Sequence, residues 1–241
     1  MSSLWPIILL SLGLQPTYPA VLTVAAASDL TSVEPELGSA FQKSQPQTQV
    51  RFVTAASAIL TQQIENGAPY DVFMSANSAF IDRLASNRRI DSASVVIYAI
   101  GRVGILWRDG KHHNFNDLRQ GSVRFVALPN PKLAPYGVAA QQALERAGLW
   151  QSVSQKVVYG ENVRQALQLV ESGNADVVLT SASLLQGKNF DLIPSDWHAP
   201  ITQKAGILTS SPNEPAAREF LRYLTTPTAQ AIFARFGFSK R

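Results

Sequence analysis

A repeated change of period constrains this chain more than any other feature. Val21–Ala27 (VLTVAAA) is a short apolar run of strand character that stops on Ser28-Asp29. Leu30, Val33, Leu37 and Phe41 then recur at helical spacing. The same device returns twice. Gln49–Val53 alternates like a strand, ends in Thr54-Ala55-Ala56-Ser57 and gives way to Ile59, Leu60 and Ile64. Asp71–Met74 ends in Ser75-Ala76-Asn77 and leads into Phe80, Ile81 and Leu84. Strands alternating with helices argue for βαβ units and a parallel sheet. In such sheets ligands bind outside the carboxyl ends of the strands.

The pattern shifts at Val95. Val95–Ile100 and Val103–Trp107 are apolar strands separated by Gly101-Arg102, and a new strand–helix series follows. Arg124–Leu128, Lys156–Tyr159 and Asp176–Thr180 read as strands. Helices follow Pro135-Tyr136-Gly137 and the capping residue Asn162, stopped by Gly148 and Gly173. Ile207-Leu208 suits a strand returning to the first series, and helices are predicted over Pro215–Leu224 and Pro227–Phe236. Two series imply two lobes joined by continuous strands.

With 241 residues, 46% of them hydrophobic, the chain is long enough for such a pair of lobes. The net charge of +4 comes from scattered Lys and Arg rather than a basic stripe, so no nucleic-acid partner is expected. The absence of cysteine removes disulfides, thiol nucleophiles and Cys-ligated zinc. Ile7–Leu14 (IILLSLGL) is followed by Pro16 and by Pro19-Ala20. It resembles the core of a secretory signal peptide and is too short to span a membrane. Export to the periplasm is therefore expected, with residues 1–20 removed near Ala20 and a mature chain of 241 − 20 = 221 residues.

Ser28, Ser57, Ser75 and Ser181 each follow an apolar strand. Any one of them is ordinary helix capping. Their repetition at the ends of strands, beside helix starts, suits a tetrahedral oxyanion. Neutral donors to a charged group contribute roughly 1.5–3 kcal/mol each, so several of them can offset desolvation without a Lys or Arg counter-ion. Hydrolysis is the competing class. The three histidines are His112, His113 and His198, no G-x-S-x-G occurs, and His112-His113 sits in a charged turn. No metal site and no paired-carboxylate site emerges from the spacing, and no cofactor is expected. Arg164 is read as a structural brace, paired for instance with Glu161, and Trp107 as core.

Five stretches together resemble one family. They are VAAASDLT (24–31), the Ala-Ala-Ser of 55–57 with QQIENGAPYDVFMSAN (62–77), LPNPKLAPYGVAAQQALE (128–145), ENVRQALQLVESGNADVV (161–178) and YLTTPTAQAIFARFGF (223–238). The resemblance is to the periplasmic molybdate-binding proteins of ABC transporters, a branch of the type II periplasmic binding fold. It implies an α/β chain of two lobes, each a mainly parallel sheet flanked by helices, with the ligand cleft between them. Carried over by position, Ser28 and Ser57 each offer a hydroxyl and an amide, and Tyr136 and Val163 offer backbone N–H groups. Ser181 stands where some members have a tyrosine hydroxyl. At that place Ser181 approaches more closely, Thr180 contributes, or the contact is absent.

The expectations are then a first lobe of residues 21–95 plus 208–241 and a second of 96–207, closing about a hinge near 95–100 and 200–208. The implied function is capture of molybdate and of tungstate by neutral hydrogen bonds, with delivery to a membrane ABC permease, by a monomer without catalytic residues. The alternatives are another oxyanion such as sulfate or phosphate, a small organic anion, or a hydrolase.

Overall fold

From Leu22 onward strand β1 (Ala20–Ala27) is buried on both faces, which explains a sequence that is apolar but for Thr23. Leu22, Val24 and Ala26 point to one side of the sheet and Ala25 to the other, as the period of a strand requires. The structure is a computed structural model that describes residues 20–240. Residues 1–19, which carry the leader expected from the sequence, lie outside the described residues.

After β1 the chain forms α1 (Glu34–Ser44), β2 (Thr48–Ala55), α2 (Ser57–Glu65), β3 (Val72–Ser75), α3 (Ser78–Ser86) and β4 (Val96–Gly101). It then enters a second unit with β5 (Val103–Trp107), β6 (Val126–Pro129), α4 (Pro135–Arg146), α5 (Trp150–Val153), β7 (Val157–Gly160), α6 (Val163–Glu171), β8 (Val177–Ser181) and β9 (Asp191–Leu192). Strand β10 (Ile201–Ile207) returns, and α7 (Glu214–Leu224) and α8 (Pro227–Arg235) complete the first unit. The cores are separate. Phe41, Phe220 and Phe233 from α1, α7 and α8 fill one face of the first sheet, and Leu60, Ile64, Ile81 and Leu84 from α2 and α3 fill the other. Phe41 meets Phe220 edge-on at 5.1 Å, and burying one such ring contributes about 1.5–3 kcal/mol.

The strand orders are β2-β1-β3-β10-β4 and β7-β6-β8-β5-β9. Each sheet therefore begins with three parallel strands, continues with one that runs against them (β10 or β5) and ends on an edge strand that runs with the first three again, and the two lobes share one plan. This is the two-lobed architecture expected from the sequence. The lobe boundaries differ from those expected. The expected boundaries put β4 and β10 in the second lobe, yet both pair within the first sheet, β4 at its edge against β10 and β10 against β3. Their backbone groups find ladder partners there, so sheet membership divides the chain at Gly101/Arg102 and Pro200/Ile201.

Candidate oxyanion site

Four chain segments end at the cleft, two from each lobe. Ser28 follows β1 and opens a 3-10 turn, with its carbonyl accepting the Thr31 hydroxyl at 2.8 Å. Its own hydroxyl bonds to no protein group among the described residues, although Ser28 is only 6% exposed. Ser57 opens α2. Its Oγ accepts the Ala76 N–H at 3.2 Å, which leaves the hydroxyl hydrogen free to donate. Neither α2 nor α4 has a side-chain cap, and Pro135 makes Tyr136 carry the first N–H of α4. On α6, Asn162 Oδ1 takes the N–H groups of Arg164 (2.9 Å) and Gln165 (3.0 Å), not that of Val163. Helix starts lack intrahelical partners for these groups and carry partial positive charge.

The lobes touch here. Ala58 N–H donates across the cleft to Leu133 O at 3.2 Å. The Ser28–Leu30 turn lies against α6 and against the turn Ala182–Leu185. Ala27 and Ala76, at the ends of β1 and β3, insert into the core of the second lobe, which their small side chains permit. Ser28, Ser57, Tyr136 and Val163, singled out from the sequence, lie on segments that meet at this junction, and all four are nearly buried. A cavity of about 170 Å³ opens beside it, lined by Ala76, Asn77 and Ser78 of the first lobe, Pro135 and Val138 of the second, and the crossover at Pro200.

Ser181 has a different task. Ser183 Oγ donates to Asp29 O at 2.5 Å, and Ser181 Oγ lies 2.8 Å from Ser183 Oγ. Ser181 Oγ also accepts the Ser183 N–H at 3.4 Å, and its hydroxyl acts on the Tyr136 phenol, so it belongs to the polar cluster around Asp29. Thr180 is also committed, since its hydroxyl donates to Val163 O at 3.0 Å and so anchors the first turn of α6. Ser75, the other strand-end serine, closes a local turn with Asn77.

A residue that the sequence reading passed over sits at the centre. Asp29 is 1% exposed. Its Oδ2 accepts the Tyr136 hydroxyl at 2.9 Å and Gln203 Nε2 at 2.7 Å, and Gln203 Oε1 in turn accepts the Tyr98 hydroxyl at 2.8 Å. Its Oδ1 is buried without a partner. Burial pushes the Asp29 carboxyl up from 3.8 to about 7, against the opposing pull of the bonds from Tyr136 and Gln203. Burial, and then the Asp29 charge, raises the Tyr98 and Tyr136 phenols well above their usual value, so both stay donors. Gly101 makes room for the network, because a Cβ there would collide with the Tyr136 hydroxyl. A carboxylic residue beside a string of anion donors is itself a signal readable in the sequence, as a local conflict of charge.

The remaining candidates are structural. His112 pairs with Asp191 and His113 with Asp109, both on the surface, and Trp107 is buried against His113. Arg164 reaches Glu171 at 3.7 Å rather than Glu161, because that carboxylate lies two turns along its own helix. No cluster of His, Cys, Asp and Glu able to hold a metal ion occurs among the described residues.

The sequence profile of the bacterial extracellular solute-binding proteins matches residues 22–239. The chain belongs to that family. The molybdate-binding protein ModA of Azotobacter vinelandii is 31% identical to this solute-binding protein over 232 residues, covering 91% of this chain and 90% of the relative. ModA of Escherichia coli (strain K12) is 29% identical over 231 residues, covering 90% and 88%. Among solved structures, the A. vinelandii periplasmic molybdate-binding protein superposes with a TM-score of 0.86 at 27% identity, covering 91% of this chain and 99% of that one. The sulfate-binding protein SubI of Mycobacterium tuberculosis H37Rv shares the fold, with a TM-score of 0.75 at 17% identity over 91% of this chain and 86% of that one.

Proposed function

We propose that this solute-binding protein captures molybdate, and tungstate with it, between its lobes and delivers it to an ABC permease in the membrane. One observation carries the reading. Buried neutral donors from both lobes, with the Ser28 and Ser57 hydroxyls and the first N–H groups of α4 and α6 among them, meet at a junction, and no Lys or Arg is buried among the described residues. About five such bonds at roughly 1.5–3 kcal/mol each contribute roughly 8–15 kcal/mol towards the desolvation of a dianion. The named relatives support the choice of oxyanion. Selection against sulfate then rests on cavity size, since both ions are tetrahedral dianions.

The same reading makes the protein an exported monomer without catalytic residues, working in the periplasm after loss of its leader. The lobes are residues 20–101 with 201–240 and residues 102–200, and they close about the strands β4 and β10. Closure is favoured to the extent that the anion binds the closed state better than the open one.

Thermal-shift and calorimetric titrations with molybdate, tungstate, sulfate, phosphate and perchlorate test this. A ligand at about 100 times its Kd stabilises by about 2.7 kcal/mol. Stabilisation by molybdate and tungstate alone is the expected result. A response to sulfate or phosphate instead would keep the site and change the cargo. Turnover of a simple ester would return the hydrolase reading.

A further inference from the structure

Asp29 is a carboxylic residue placed next to Ser28, at a site whose other members are all donors. Its side chain is fully enclosed, and it connects three parts of the molecule. Tyr136 reaches it from the second lobe, Gln203 from β10, and Ser183 of the second lobe donates to its backbone carbonyl. Opening the cleft must break the Tyr136 and Ser183 bonds. Both side-chain donors go to Oδ2, and Oδ1 has no partner. Oδ1 is therefore the oxygen of this carboxyl that a proton can take without breaking the Tyr136 and Gln203 bonds.

The charged groups on the surrounding elements do not neutralise it. Among the described residues, the charged side chain that acts on Asp29 is Glu34 of α1, and it repels. Arg164 of α6 and Lys188, which follows the Ala182–Leu185 turn, both turn to Glu171. Lys204 of β10 pairs with Asp82, Arg51 of β2 bonds to the Thr23 hydroxyl, and Arg102 after β4 reaches Ser239. The charged residues of α4, Glu145 and Arg146, stand at its far end.

Resting on the oxyanion reading above, we propose that capture of the dianion is coupled to uptake of one proton by Asp29. The proton comes from solvent and forms the O–H bond at Oδ1. The closed complex then holds a neutral carboxylic acid beside the dianion in place of a third negative charge. Asp29 is thus a positioning residue, which couples closure of the lobes to its own protonation. The enclosed carboxyl, raised by burial to about 7, is poised to change state on such a perturbation.

The test is calorimetry with molybdate near pH 8 in buffers of contrasting ionisation enthalpy. The native chain should take up close to one proton per molybdate bound, and its affinity should fall by up to tenfold per pH unit in alkali. Asp29→Asn should bind with uptake near zero and a flat pH profile. An infrared difference spectrum, bound minus free, should gain a protonated carboxyl band in the native chain only. Tyr136→Phe provides a second variant. It removes a donor to the ionised carboxyl, so the free chain is already more protonated and uptake should fall. Binding of molybdate with equal heats in all buffers, or undiminished uptake in Asp29→Asn, would overturn the coupling and leave the oxyanion reading intact. Failure of molybdate to bind the native chain at all would overturn both.

Discussion

Replacing Asp29 by asparagine should remove a pH dependence of stability from the anion-free protein. Burial raises this carboxyl from 3.8 to about 7. Between those two values the folded chain keeps a proton that the unfolded chain has released. Stability from this group is therefore full below 3.8, falls as pH rises, and reaches its lowest level above about 7. At about 1.36 kcal/mol per unit, the whole loss is about 4 kcal/mol. Roughly 2–3 kcal/mol of it falls between about pH 5 and about pH 8.5. The asparagine keeps an oxygen for Tyr136 and Gln203 and puts an amide where Oδ1 has no partner, at a pH-independent cost of about 1–3 kcal/mol. Urea unfolding of both proteins across that range measures the effect. The variant should gain on the native chain by roughly 2–3 kcal/mol as pH rises, with all other titrating groups cancelling in the difference. A difference that stays flat to within about 0.5 kcal/mol would refute the argument that burial dominates this carboxyl.

Other substitutions isolate single contacts. Ser57→Ala should weaken molybdate by about 10- to 150-fold in calorimetry, from the loss of one hydrogen bond to a charge, with the fold retained. Gly101→Ala should drive the Tyr136 hydroxyl away from Asp29 and cost about 1–3 kcal/mol in urea unfolding, with weaker anion binding beside it. Thr180→Val should remove the side-chain donor to Val163 O and leave its helical bond in place, lowering stability by about 0.5–1.5 kcal/mol in urea unfolding.

Much of the fold was legible because both faces of each sheet are covered. The strands show as apolar runs and the helices as a 3.6-residue period, and the hydroxyl-bearing ends of β1 and β8 and the start of α2 were visible. Strand β10 was seen only at Ile207-Leu208. Its middle, Thr202-Gln203-Lys204, looks like surface, yet Gln203 is fully buried because it serves the Asp29 network. Strand β9 and helix α5 have two and four residues, too few to show a period. Asp29 was read only as the end of a strand, since no spacing rule joins it to Tyr136, 107 positions away. The sequence places Ser181 at the end of a strand among the donors, but its contact with Ser183 arises in the turn Ala182–Leu185, and no spacing announces it.

The pairing of Gly101 with Ile201 places the exit from the first sheet directly opposite the return to it. In order of synthesis, the first sheet must therefore wait. Strands β1 to β4 emerge early, but β10 separates β3 from β4, and α7 and α8 cover one face of the sheet only when the last residues are made. Everything the second lobe needs lies in one uninterrupted stretch. The lobe that begins the chain is thus the last to become complete.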